Sequence, residues 1–150
     1  MGVICDYFVA PSDEIAAASV SEGPSERLPA ELASEVVDGT GIMPVVEMCS
    51  LEALLTARTY AEVRAERRGD EPVAMEDDGG RVVVRLAASL VQVLAAAEPE
   101  RLETAARQWS ETAELARTDA GPTVQFAERL AALARLGSGR GFGLYCWICV

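Results

Sequence analysis

Two stretches at opposite ends of the chain decide what it can fold into. Residues 3–10, VICDYFVA, and residues 142–150, FGLYCWICV, are dense in β-branched and aromatic side chains, the composition of buried strand. In the first, Val3, Cys5, Tyr7 and Val9 alternate with Ile4, Asp6, Phe8 and Ala10. Both sets are largely apolar, so the alternation predicts a central strand covered on both faces and stopped at Pro11. A chain of 150 residues removes roughly 70% of its unfolded surface from water, enough for one apolar core without metal or disulfide staples.

The sequence between these strands reads mainly as helix. Ser12 is placed to cap a short helix reaching about Ser19, with Asp13 and Glu14 in its first turn. Residues 21–41, with Gly23, Pro24, Pro29, Gly39 and Gly41, form the least regular segment. From Pro44 to Arg58, Val45, Met48, Leu51 and Leu55 recur at helical spacing. Thr59 to Glu62 matches a capping box that opens a second helix to about Arg68. The turn-prone Asp77-Asp78-Gly79-Gly80 separates residues 73–76 from RVVVRL, residues 81–86, and predicts a hairpin. Ala87–Ala97 reads as helix. A further helix opens at Pro99 with Leu102, Ala105, Ala106, Trp109 and Ala113 on one face. The last runs from Pro122 to Leu136, with Gly137 as its stop. Helical runs between a first and a last buried strand predict a single α+β domain: a small sheet containing both terminal strands, packed against several helices.

The chain contains no His, no Lys and no Asn, so all 13 positive charges are Arg. That inventory excludes Ser-His-Asp and Cys-His catalysis, histidine zinc motifs, the Walker A loop and Schiff-base chemistry. It offers no complete catalytic motif, cofactor site or metal site. Against the 13 Arg stand 24 acids, a net charge of −11. Residues 1–41 hold eight acids and one Arg, while residues 121–150 hold one acid and three Arg. A front of that sign repels phosphate backbones, and no Arg cluster interleaves with aromatics, so nucleic-acid binding is not expected. It favours a basic protein partner through faster encounter, and it also keeps a small protein soluble. The opening residues lack the basic and apolar regions of a signal peptide, and no stretch is apolar enough to span a bilayer, so a cytoplasmic protein with no membrane contact is expected.

Several features invite a chemical reading beside a structural one. Cys146 and Cys149 form a CxxC, but no helix follows it, and on a strand residues three apart face opposite ways. Packing thiols are the stronger reading, and a four-thiolate site with Cys5 and Cys49 the weaker. The run GSGRGFG, residues 137–143, follows a helix and precedes a strand, the reverse of a phosphate loop. It reads as a helix stop and turn, with Arg140 at its tip available to an acidic partner or ligand. EDDGG, residues 76–80, lacks the alternating ligand spacing of a calcium loop. Asp6 is the one local inconsistency: a carboxylate between Ile4 and Phe8 must find Arg, backbone donors or water, or shift its pKa. Pairing with an Arg is the favoured account. Trp109 and Trp147 read first as core residues.

The opening MGVICDYFV, the segment SLEALLTARTYAEV (residues 50–63) and the ending LYCWICV (residues 144–150) resemble small uncharacterised proteins of high-GC actinobacteria. The layout is also similar to the YfbM-like domain of unknown function, with its Met-Gly strand, LLTG-type helix and closing helix and strand. Leu54-Leu55-Thr56 match that pattern and Ala57 stands where its glycine would be. The resemblance implies an α+β fold and no catalytic residues. Two functional expectations follow from the residues. The first is a non-enzymatic interaction factor, regulatory or immunity-type, that presents its acidic front to a basic partner. The alternative is a small-molecule binder or carboxylate-dependent enzyme with a pocket near Asp6, Glu47 and Trp109, with Arg140 as a further binding residue.

Overall fold

A computed structural model describes residues 2–39, 41–66, 70–115 and 119–150. Strand β1 spans Ile4–Ala10 and strand β5 spans Gly143–Cys149, and the two pair antiparallel along their full length, from Ile4 opposite Cys149 to Ala10 opposite Gly143. On its other side β5 pairs with β4 (Arg81–Arg85), which continues to the edge strand β3 (Glu71–Glu76). The turn-prone Asp77-Asp78-Gly79 forms a single 3-10 turn between β3 and β4. Beyond β1 lies β2, only Val37–Asp38, giving the order β2-β1-β5-β4-β3. The two terminal strands are thus neighbours inside one antiparallel sheet, with β5 at its centre.

The register sorts side chains by face. Cys5, Tyr7 and Val9 stand opposite Ile148, Cys146 and Leu144, while Asp6 and Phe8 stand opposite Trp147 and Tyr145. The first face is covered by the larger helical layer: α4 (Val46–Thr56), α6 (Ala88–Ala96), α7 (Pro99–Ser110) and α8 (Ala120–Arg140). Helix α8 lies on the strands, and α6 and α7 pack against α8. A short α5 (Tyr60–Glu66) opens as the capping box requires, with Thr59 Oγ1 accepting from Glu62 N at 3.1 Å.

The second face is covered by the chain that leaves β1. Ser12 caps α1 (Asp13–Ala17) by accepting from Ile15 N at 3.2 Å. The turn that follows crosses Trp147, whose Nε1 donates to the Val20 carbonyl at 2.9 Å. Gly23, at φ 91°, brings its backbone against the same indole, where a Cβ would sit 3.3 Å from the ring. Residues 24–36, read as irregular, contain two one-turn helices, α2 (Pro24–Arg27) and α3 (Ala30–Ala33).

Two boundaries correct the sequence reading. Gly137 does not stop the last helix: α8 continues to Arg140, and Gly141, at φ 70°, ends it. Phe142 N donates to the Gly137 carbonyl at 2.8 Å and Gly141 N to Ser138 at 3.3 Å, the paired bonds of a Schellman cap. Ala113 belongs to a 3-10 turn, Ala113–Leu115, beyond the end of α7. The expected end of α5 at Arg68 lies outside the described residues. Among the described residues no helix is long and apolar enough to cross a membrane.

Candidate functional site

Asp6 sits on β1 between Asp38 of β2 and Trp147 of β5. The expected arginine partner is absent: among the described residues no Arg reaches its carboxylate. Asp38 stands directly opposite instead, a cross-strand pair of like charges. Burial pushes the Asp6 pKa up, and the Asp38 charge adds to the rise. The two carboxylates edge a cleft of about 510 Å³, lined also by Gly2, Val3, Ile4 and Gly41.

Glu47 and Trp109 do not join that cleft. Trp109 is fully buried on the opposite side of the sheet, stacked on Phe126 at 6.2 Å, and Phe126 meets Tyr7 edge-on at 5.5 Å. Its indole Nε1 finds no acceptor among the described residues. Glu47 is half-buried in the first turn of α4 and faces Tyr7 electrostatically. The Tyr7 hydroxyl donates to the Ile42 carbonyl, and burial, followed by the Cys146 and Cys5 thiols, holds its pKa well up. Arg140 is the last helical residue of α8, half-exposed, 3.9 Å from the Glu31 carboxylate. The structure therefore brings none of Glu47, Trp109 and Arg140 to the Asp6 cleft.

The cysteines separate in the same way. Cys146 faces the helical layer, whereas Cys149 lies on the other face opposite Ile4 and Arg81, so the CxxC makes no chelate. Cys49 belongs to a small separate cluster with Ala53 and Val63. None of the four cysteines is in a disulfide. Among the described residues no three Cys, Asp or Glu side chains gather to hold a metal ion.

One polar constellation escaped the sequence reading. Arg85 Nη1 lies 2.6 Å from Asp13 Oδ2 and its Nη2 lies 3.2 Å from Glu71 Oε2. The Tyr145 hydroxyl donates to the other Asp13 oxygen at 2.7 Å. Burial, followed by Asp13, pushes the Tyr145 pKa well up. Arg85 and Glu71 stand at the rim of a groove of about 470 Å³ whose floor is Leu86, Val91, Phe142 and Leu144. One guanidinium shared by two carboxylates leaves no surplus positive charge there, so this rim favours a neutral or cationic group over an anion. No periodicity links Asp13, Arg85 and Tyr145 along the chain; only the β4–β5 register brings Arg85 beside Tyr145.

The acids of the chain's front lie on β1 and on the segment that follows it, through β2. Glu14, Glu22, Glu26, Glu31, Glu35 and Asp38 are exposed, and Asp6 and Asp13 are half-buried. Arg27 is the only basic residue in that span, and it pairs with Glu22 at 3.3 Å. Compared with known proteins, the chain matches no family model, no curated protein and no solved structure.

Proposed function

We propose that this protein is a non-enzymatic interaction factor, of regulatory or immunity type, that offers the acidic chain following β1 to a basic protein partner. One observation carries the reading. Six exposed carboxylates of residues 14–38 emerge from α1, α2, α3, β2 and their connections, with Arg27 as the only cation of that stretch. A net negative surface of this kind accelerates encounter with a positive one and loses its effect as salt screens it. The inventory supports the same reading, since a chain without His or Lys has few routes to acid–base or nucleophilic catalysis.

The test compares two triple variants of equal charge. Glu14, Glu26 and Glu35 are changed to Gln in one, and Glu98, Glu100 and Glu111 to Gln in the other. A partner captured from cell extract at low salt is expected to be lost by the first variant and kept by the second. Equal loss in both, or capture insensitive to salt, would defeat the proposal.

A second reading, a small-molecule binder at Asp6, is favoured by the open cleft that Asp6 shares with Asp38. Its ligand would be a small cation such as an amine. Binding of amines by the intact protein that persists in Asp6→Asn would remove this reading.

A further inference from the structure

The groove of about 470 Å³ lies where β4 ends and β5 begins, bounded by the opening of α6 at Ala88 and the last turn of α8 at Ser138. Its size is that of a site for a small organic molecule. Leu86 and Leu144 in its floor are buried, while Val91 and Phe142 are only half-buried, so apolar surface is left for a ligand to cover. Phe142 adds a ring on which an aromatic body can stack. The Asp6 cleft, beside Gly2, Val3 and Ile4, lies at the opposite end of the β1–β5 pair.

The polar groups beside the floor are mostly carboxylates. Glu71 and Arg85 stand opposite each other on β3 and β4, and the Arg85 guanidinium holds Asp13 at 2.6 Å and Glu71 at 3.2 Å. Gly143, which also lines the groove, leaves room for the Tyr145 hydroxyl that donates to Asp13; a Cβ there would fall 2.9 Å from that oxygen. At the opening of α6 the Asp70 carboxylate accepts from Ala87 N at 3.1 Å, so the positive end of that helix already faces an acid. Three carboxylates thus surround one guanidinium, and Ser138 brings the negative end of α8 to the same groove.

We propose that this groove binds a small aromatic amine, its ring on the floor of Leu86, Val91, Phe142 and Leu144 and its ammonium beside Glu71. Covering the floor supplies most of the affinity. Glu71 is exposed, so its attraction for an ammonium is screened by water and sets selectivity more than strength. A carboxylate ligand would have to take Arg85 from Asp13 or Glu71 and leave an acid without its partner, which disfavours the anion of the same shape.

The test is calorimetric titration of the intact protein at low salt with tryptamine, tryptophol and indoleacetate, which share a ring and differ in charge. Tryptamine should bind one to one, about threefold more tightly than tryptophol, a factor in keeping with an exposed ion pair. Indoleacetate should bind more weakly than either. Glu71→Gln should bring tryptamine to the level of tryptophol, and Asp6→Asn should bind as the parent does. Ala88 is exposed in the first turn of α6, so Ala88→Trp should fill the groove without entering the core and abolish binding at parental thermal stability. No binding of tryptamine, indoleacetate bound as tightly as tryptamine, or tryptamine lost in Asp6→Asn but kept in Ala88→Trp would overturn the site. So would a dimer in sedimentation that Ala88→Trp dissociates, since a second copy would then cover the groove.

Discussion

Asp6 faces Asp38 across the β1–β2 pairing, and burial raises the Asp6 pKa more than the Asp38 charge does. A like-charged pair at this position makes β2 a weak edge. Its two-residue length fits that, and the backbone bond from Gly39 N to the Cys5 carbonyl is what holds its far end.

The sign of the resulting pH dependence follows from proton linkage. Between the unfolded Asp value near 3.8 and its higher folded value, the native state binds more protons than the unfolded chain, so stability falls as pH rises through that window. The contribution of Asp6 is fully present below the unfolded value and is lost above the folded one. Asp6→Asn should therefore raise the thermal midpoint at pH 7, by an amount corresponding to roughly 0.5 kcal/mol. The advantage should vanish below about pH 3.8. Melting curves of parent and variant at both pH values check this; a gain that persists in acid would contradict it.

Ala57 ends α4 in the left-handed conformation, φ 54° and ψ 38°, with Arg58 N donating to the Ala53 carbonyl at 3.0 Å. The left-handed region costs an alanine about 1–2 kcal/mol, while glycine costs about 0.4–1 kcal/mol through its freer unfolded chain. The residue is exposed, so no packing is lost. Ala57→Gly should stabilise by about 0.5–1 kcal/mol, read as a higher urea midpoint with an unchanged slope.

The parts of the fold that local rules govern were legible. The alternation of residues 3–10, the caps at Ser12 and Thr59 and the hairpin flanking Asp77-Asp78 each follow from residues within a few positions of one another. What escaped depends on distant partners. Val37–Asp38 becomes a strand because β1 presents an unpaired edge to it, and two residues carry no periodicity of their own. Gly137 reads as a helix stop because glycine weakens helices, yet tertiary packing places it inside one. Arg85 meets Asp13 across 72 residues, and Tyr145 meets Asp13 across 132. For Asp6 the sequence exposed a buried carboxylate in need of a partner but not that its neighbour is a second carboxylate. For Trp109 it indicated core packing, which the structure bears out, and not the Phe126–Tyr7 cluster that separates it from Asp6.

The bond from Tyr145 to Asp13 has its own titration signature. Burial and the Asp13 carboxylate both disfavour the phenolate, so this phenol should ionise well above the ordinary value of 10.0. Its stabilising contribution is complete below the unfolded value and is lost as pH rises through the folded one. In Asp13→Asn one late step in the near-ultraviolet absorbance should move toward lower pH, and in Tyr145→Phe it should disappear. The phenylalanine variant should also lose about 1 kcal/mol of stability. An unshifted late step in Asp13→Asn would refute the assignment.

Gly137 and Gly139 lie two residues apart in α8 and should respond oppositely to alanine. A Cβ on Gly137 would fall 2.8 Å from Val9 Cγ1, in the seam where α8 rests on β1. Helix propensity would favour the alanine by about 1 kcal/mol, but overpacking against an interior strand costs about 1–3 kcal/mol. The packing effect wins because Val9 is buried in a paired strand and cannot retreat. Gly137→Ala should therefore destabilise, by up to about 2 kcal/mol. A Cβ on Gly139 meets nothing within 4 Å, so Gly139→Ala gains propensity alone and should stabilise by about 0.5 kcal/mol, less than the full propensity difference because it sits in the last turn. Denaturant midpoints of the two variants against the parent decide the matter. Equal signs would show that α8 does not seat against β1 at Gly137.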